Sequence, residues 1–92
     1  MSNEPCWRVE FDERAAKELS KLAPTAKKLI LTFFAQRIQT PEDPRRFGKA
    51  LSANLTGLWR YRVEDYRIIC QIQDERLVVL AIRVGHRRNV YR

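Results

Sequence analysis

Seven side chains in the second half of the chain, Arg60, Arg62, Arg67, Arg83, His86, Arg87 and Tyr91, are of types that handle phosphate and protons. A guanidinium is a planar fork that can grip two phosphate oxygens at once, where a lysine is a point charge. Imidazole is the side chain whose ordinary titration falls near neutrality. Together these types suit metal-free cleavage of RNA by its own 2′-hydroxyl. The nucleophile then belongs to the substrate, and the protein need only orient it, bind the pentavalent phosphate and move protons. Rival chemistries lack their residues. The sequence has no glycine-rich phosphate loop, and its single histidine allows no Ser/His/Asp arrangement. Two cysteines and one histidine are too few for a usual structural zinc site. Carboxylates are sparse in the basic half, which argues against a two-metal nuclease. The expectation is a site with neither metal nor cofactor.

Charge distribution points the same way. Residues 1–44 carry seven bases (Arg8, Arg14, Lys17, Lys21, Lys27, Lys28, Arg37) and seven acids (Glu4, Glu10, Asp12, Glu13, Glu18, Glu42, Asp43). Residues 45–92 carry eleven bases and four acids (Glu64, Asp65, Asp74, Glu75), so the whole formal excess of +7 lies there. Among those bases only Lys49 is a lysine. An arginine-rich excess on one half implies a polyanionic partner, nucleic acid first.

The elements that must position these groups are legible from hydrophobic period. Cys6 to Phe11 alternates and reads as a strand. Asp12 offers a helix N-cap, with Glu13 favourable in the first turn. Ala15, Ala16, Leu19 and Leu22 form a helical stripe that ends at Ala23-Pro24. Pro24 suits the first turn of a second helix, running to about Gln39, and the two make a helical hairpin. Thr40 to Pro44 is a loop, and residues 45–57 fit no single element. Strands follow at Leu58–Val63, Tyr66–Gln73 and about Leu77–Val84. The fold class is therefore α+β: an N-terminal strand, a helical hairpin, then a three-stranded antiparallel meander with the helices on one face. A chain of 92 residues holds one domain, residues 1–92. No apolar run is long enough to span a membrane, and no signal peptide is legible, so a cytoplasmic protein with reduced Cys6 and Cys70 is expected.

Strand alternation then sorts the arginines. With Glu64-Asp65 as the turn, Val63 pairs with Tyr66 and Arg62 with Arg67. Trp59, Tyr61, Val63, Tyr66, Ile68, Cys70 and Ile72 face the core, and Arg60, Arg62 and Arg67 share the other side. Like charges directly opposed are unfavourable unless an anion sits between them. In the last strand Val78, Leu80, Ile82 and Val84 should join the core, placing Arg83 beside Arg67. That choice requires an odd-numbered turn near Gln73–Arg76, or a bulge. It is preferred because burying those side chains is worth about 1.5–3 kcal/mol each.

At this point the sequence resembles the RelE branch of the RelE/ParE toxin superfamily, the toxins of type II toxin–antitoxin pairs. The resemblance spans nearly the whole chain. It opens with VEFDERAAKELSKL from Val9 and is most specific in Gly57-Leu-Trp-Arg-Tyr-Arg62, Asp65-Tyr-Arg-Ile-Ile69 and the ending Val84-Gly-His-Arg-Arg-Asn-Val-Tyr-Arg92. It implies a RelE-like fold and a toxin that enters the ribosomal A site and cuts mRNA, leaving a 2′,3′-cyclic phosphate and a 5′-hydroxyl. Its catalytic set would be Arg60 and Arg62 (lysines in the best-known member), Arg67, Arg87 and Tyr91, with Tyr91 as base and His86 as the rival proton carrier. Arg83, Arg88, Arg92, Lys49, Arg45 and Arg46 are candidates for RNA contact, although the last three also fit an ordinary solvated loop. The implied partners are a RelB-like antitoxin with an acidic toxin-binding segment, mRNA and ribosomal RNA, and no membrane. Two other readings stay open: a ParE-like inhibitor of DNA gyrase, and an RNA- or ribosome-binding module without catalysis.

Overall fold

The computed structural model describes residues 4–87. Strand β1 (Arg8–Phe11) leads into helix α1 (Glu13–Ser20), whose N-cap Asp12 accepts the Ala15 N–H at 2.8 Å. Pro24 opens α2 (Pro24–Phe33) at a position where its missing N–H costs nothing. The last turn widens to a π-helix over Phe34–Ile38, closed by the Gln39 N–H on the Phe34 carbonyl at 2.9 Å. Both ends of that turn, Phe34 and Ile38, are buried.

A short strand β2 (Lys49–Ala50) precedes β3 (Trp59–Val63), β4 (Tyr66–Gln73) and β5 (Val78–His86). The sheet order is β1-β5-β4-β3-β2, antiparallel except for the parallel pair β1 and β5. The segment that fits no element by sequence thus contributes the edge strand β2, flanked by 3₁₀ turns at Pro44–Arg46 and Ala53–Leu55.

The core lies between the helices and one face of the sheet. Ala15, Ile30, Phe34 and Ile38 from the helices meet Tyr61, Val63, Ile68, Cys70, Val79, Ala81 and Val84 from the strands. Phe34 packs edge-on against both Phe11 and Tyr61. Ala15 and Ala81 are fully buried in this cluster, and their small size lets α1 lie close to β5.

The β3–β4 hairpin has the expected register, with Val63 opposite Tyr66 and Arg62 opposite Arg67. Its turn places Glu64 at φ 53°, the left-handed region that usually favours glycine. The last strand departs from expectation. Gln73 pairs with Val78, so the connection holds four residues, an even number, with Leu77 at φ 52°. Register is restored by a β-bulge: Ile69 pairs with Arg83 and Cys70 with Ala81, leaving Ile82 as the extra residue. Of the four side chains expected in the core, only Val84 lies in the main cluster, and Val79 and Ala81 replace the others. The parallel partner explains the exchange. Val9 and Phe11 pair with Val79 and Ala81, and all four face the helices together. Val78 is still buried, but on the second face, where it lies between Gln73 and Arg8. Side-chain contacts from Arg76 to Gln73 and to Glu10, and from Arg8 to Glu10, roof it there. Among the described residues, no helix is long and apolar enough to cross a membrane.

A basic face on the sheet as candidate functional site

Register alone gathers four cations of β2, β3 and β4 on the side of the sheet turned away from the helices. Lys49 in β2 pairs with Arg60 in β3, Arg60 pairs with Ile69 in β4, and Arg62 pairs with Arg67. Strands β2, β3 and β4 contain no acidic residue. Arg62 is exposed and makes no hydrogen bond or ion pair among the described residues. Arg60 is half-buried with its Nε shut off from solvent. Arg67 is half-buried, and its Nη1 donates to the carbonyls of Glu64 and Tyr66, each at 3.3 Å, which folds it over the hairpin backbone. Opposed guanidiniums repel, and a bound polyanion would turn that repulsion into attraction for both.

Two tryptophan and tyrosine anchors put Lys49 in this set. Trp59 Nε1 donates to the Phe47 carbonyl at 2.7 Å, and the Tyr61 hydroxyl donates to the Pro44 carbonyl at 2.7 Å. Burial pushes the Tyr61 phenol well above its ordinary range, so it stays a neutral donor. Directly after these anchors the chain passes β3 so closely that a Cβ on Gly48 would stand 2.4 Å from the Arg60 carbonyl oxygen. Sequence reading grouped Lys49 with the loop arginines; the Gly48-Lys49 pair ahead of an arginine strand was the available signal.

Arg83 of β5 shares this side by register, opposite Ile69, but its guanidinium bonds α1. Its Nε lies 3.2 Å from Oε2 of Glu18 on α1, with both side chains mostly buried. Arg45 grips Asp74 with two hydrogen bonds, 3.0 and 2.6 Å, at the end of β4 remote from Arg67. That guanidinium holds the Asp74 carboxyl below the usual carboxylate range, and the hydrogen bond raises Arg45 in turn. Arg46 pairs with Glu42 at 2.7 Å and stacks over Phe47. The structure therefore does not bring Arg45 or Arg46 together with Arg60, Arg62 and Arg67, whereas Arg83 lies on their side of the sheet, as expected, with its guanidinium on Glu18.

At the C-terminal end of β5, Gly85 pairs with Arg67, whereas His86 pairs with Tyr66 on the opposite side, rings edge-on at 6.1 Å. The imidazole and the arginine row thus occupy different faces. Arg87 follows directly after the strand, exposed, its N–H donating to the Asp65 carbonyl at 2.8 Å. Arg88, Tyr91 and Arg92 lie outside the described residues. Among the described residues no three His, Cys, Asp or Glu side chains are grouped as a metal site. Burial pushes the Cys70 thiol up, which suits a packing role.

Comparison with known proteins adds to this geometry. Residues 9–91 match the family model of the ParE toxin of type II toxin–antitoxin system, parDE. The chain is 33% identical over 86 residues to Toxin RelG of Mycobacterium tuberculosis, covering 94% of this chain and 97% of the relative. It is 34% identical over 85 residues to the mRNA interferase toxin RelE of Escherichia coli, covering 86% and 81%. Among solved structures it resembles a chain of the toxin–antitoxin complex RelBE2 from Mycobacterium tuberculosis, with a TM-score of 0.77 and 30% identity over 96% of this chain and 98% of that one.

Proposed function

The chain belongs to the RelE branch of the RelE/ParE toxin superfamily of type II toxin–antitoxin systems, and on that premise we propose that it is a ribosome-dependent mRNA endoribonuclease. The observation that carries this reading is the face shared by Lys49, Arg60, Arg62 and Arg67, with no carboxylate in its strands. Such a face binds a phosphodiester and stabilises the extra negative charge of a pentavalent phosphate. The step needs no outside reactant. The 2′-oxygen bonds to phosphorus, the bond from phosphorus to the 5′-oxygen breaks, the 2′-hydroxyl proton goes to a base, and a proton reaches the leaving 5′-oxygen. The products are a 2′,3′-cyclic phosphate and a 5′-hydroxyl.

Tyr91 takes the base role. A tyrosine titrates near pH 10 when unperturbed, so this role requires guanidiniums close enough to favour its anion. Arg87 stabilises the leaving oxygen electrostatically, since arginine scarcely deprotonates. The position of His86 across the sheet from the arginine row supports Tyr91 over the imidazole. The neutralising partner is a RelB-like antitoxin whose toxin-binding segment is acidic.

The test is to map mRNA ends in programmed ribosomes incubated with the pure protein. New ends in the A-site codon are expected, abolished by Tyr91→Phe and little changed by His86→Ala. Message left intact while translation stops would replace this reading with a binding module. The ParE match makes gyrase the second arm: gyrase-dependent DNA breaks with unchanged message ends would move the chain to that activity.

A further inference from the structure

We infer that Glu18, on α1, is a positioning residue for the cleavage proposed above, and the inference rests on that reading. The reason lies in what happens to β5 beyond Ala81. Strand β1 ends at Phe11, opposite Ala81, and the chain turns away into α1 through Asp12, whose N–H bonds the Ala81 carbonyl at 2.9 Å. From Ile82 onward β5 has no strand on that side among the described residues, so its backbone donors there need another acceptor. Glu18 supplies one. Its Oε1 accepts the Val84 N–H at 2.8 Å, and its Oε2 meets Arg83 Nε at 3.2 Å. One carboxylate thus grips two consecutive residues directly after the extra residue of the bulge, Ile82.

That bulge decides which side chains reach the site. With it, Val84 faces the core, Gly85 lies opposite Arg67, and His86 lies opposite Tyr66, one residue before Arg87. Without it, every strand residue after Ala81 changes face, because a one-residue slip inverts strand alternation. His86 would then take the arginine side, and the strand would deliver Arg87 from the wrong side. The Asp65 carbonyl fixes Arg87 from the hairpin end, and Glu18 fixes the same short segment from the bulge end. The carboxylate also bonds Arg83, which by register lies opposite Ile69 on the arginine side.

The experiment measures single-turnover mRNA cleavage in programmed ribosomes across toxin concentration, alongside amide hydrogen exchange of the free protein. Glu18→Ala is expected to slow the saturating rate by about ten- to a hundredfold, as misplacement of a reacting group does, with the half-saturating concentration unchanged. The Val84 amide should exchange faster while the Val79 amide stays protected, reporting an intact fold. Glu18→Gln removes the charge but keeps an oxygen for the Val84 N–H, and should cleave close to the wild-type rate. Wild-type cleavage by Glu18→Ala, unchanged exchange at Val84, or equal losses in the Ala and Gln variants would overturn the role. If Val79 loses protection in Glu18→Ala, Glu18→Asp decides. It keeps the charge but is a methylene short of Val84, so a slowed rate upholds the role and a wild-type rate overturns it. Failure of the nuclease reading registers separately, as intact message with the wild-type protein, and the positioning role in cleavage then falls with it.

Discussion

Arg62 is the residue at which function and stability pull apart most clearly. It is exposed, faces Arg67 directly across the hairpin, and has no acid in its strand or the next. Its removal therefore relieves a like-charge contact, of the order of 0.2–1 kcal/mol in such pairs. The same guanidinium, aimed at a developing phosphorane, is the kind of donor whose loss costs about 10²–10³ in rate. Arg62→Ala should thus leave the urea midpoint equal or slightly raised while cleavage of ribosome-bound message falls by about two orders of magnitude. A variant that loses stability and activity in parallel would mean that Arg62 serves the fold. This cluster was legible in the sequence because a short Glu64-Asp65 turn fixes which residues oppose each other, and alternation does the rest. Two outcomes were not legible. Arg83 and Arg45 are claimed by Glu18 and Asp74, partners 65 and 29 residues away. Partnerships over such separations leave no local pattern.

The same limit explains what was missed among the elements. Long periodic segments declared themselves: both helices, and the strands of the meander. The edge strand β2 did not, because two residues carry no period and are held by tertiary bonds from Trp59 and Tyr61 to the chain before them. Gly48 makes that docking possible. It sits at φ 80°, and a Cβ there would meet the Arg60 carbonyl and the Trp59 ring nitrogen. Gly48→Ala should cost about 1–3 kcal/mol from backbone strain alone, visible as a lower urea midpoint, and should also weaken cleavage by drawing Lys49 away from Arg60. Lys49→Ala separates the two effects, since it removes the charge without the strain; equal stability of both variants would refute the steric account. Just past the end of β4, the Arg45–Asp74 pair ties the loop after α2 to the β4–β5 turn. Arg45 holds the Asp74 carboxyl below its ordinary range, so the pair favours the fold at pH values above the unfolded carboxylate's, near 4, and is lost as pH drops through the folded value. Asp74→Asn should accordingly melt below the wild type at neutral pH, with the gap closing in acid. A gap that is constant with pH would assign the loss to geometry rather than to charge.

For the molecule as a whole, the decisive quantity is where the +7 resides. A net charge spread evenly would bind nucleic acid without orientation; here the helical half is neutral and the excess lies on the half that carries the sheet's arginine row and the tail. Counterion release makes this asymmetry measurable, because each phosphate neutralised on a single strand contributes about −0.7 to the slope of log affinity against log salt. If Lys49, Arg60, Arg62 and Arg67 each engage one phosphate, the free protein should bind a single-stranded RNA oligomer with a slope near −2.8, steeper where the tail adds contacts. Arg62→Ala should lower that slope by about 0.7. Arg45→Ala should leave it nearly unchanged, because Asp74 and Asp43 already answer that guanidinium. Lys27→Ala and Lys28→Ala, on α2 in the neutral half of the chain, serve as the control for general attraction. Should they flatten the slope as much as Arg62→Ala, binding would be a property of total charge, and the sheet face would lose its claim to be where the phosphate backbone lies.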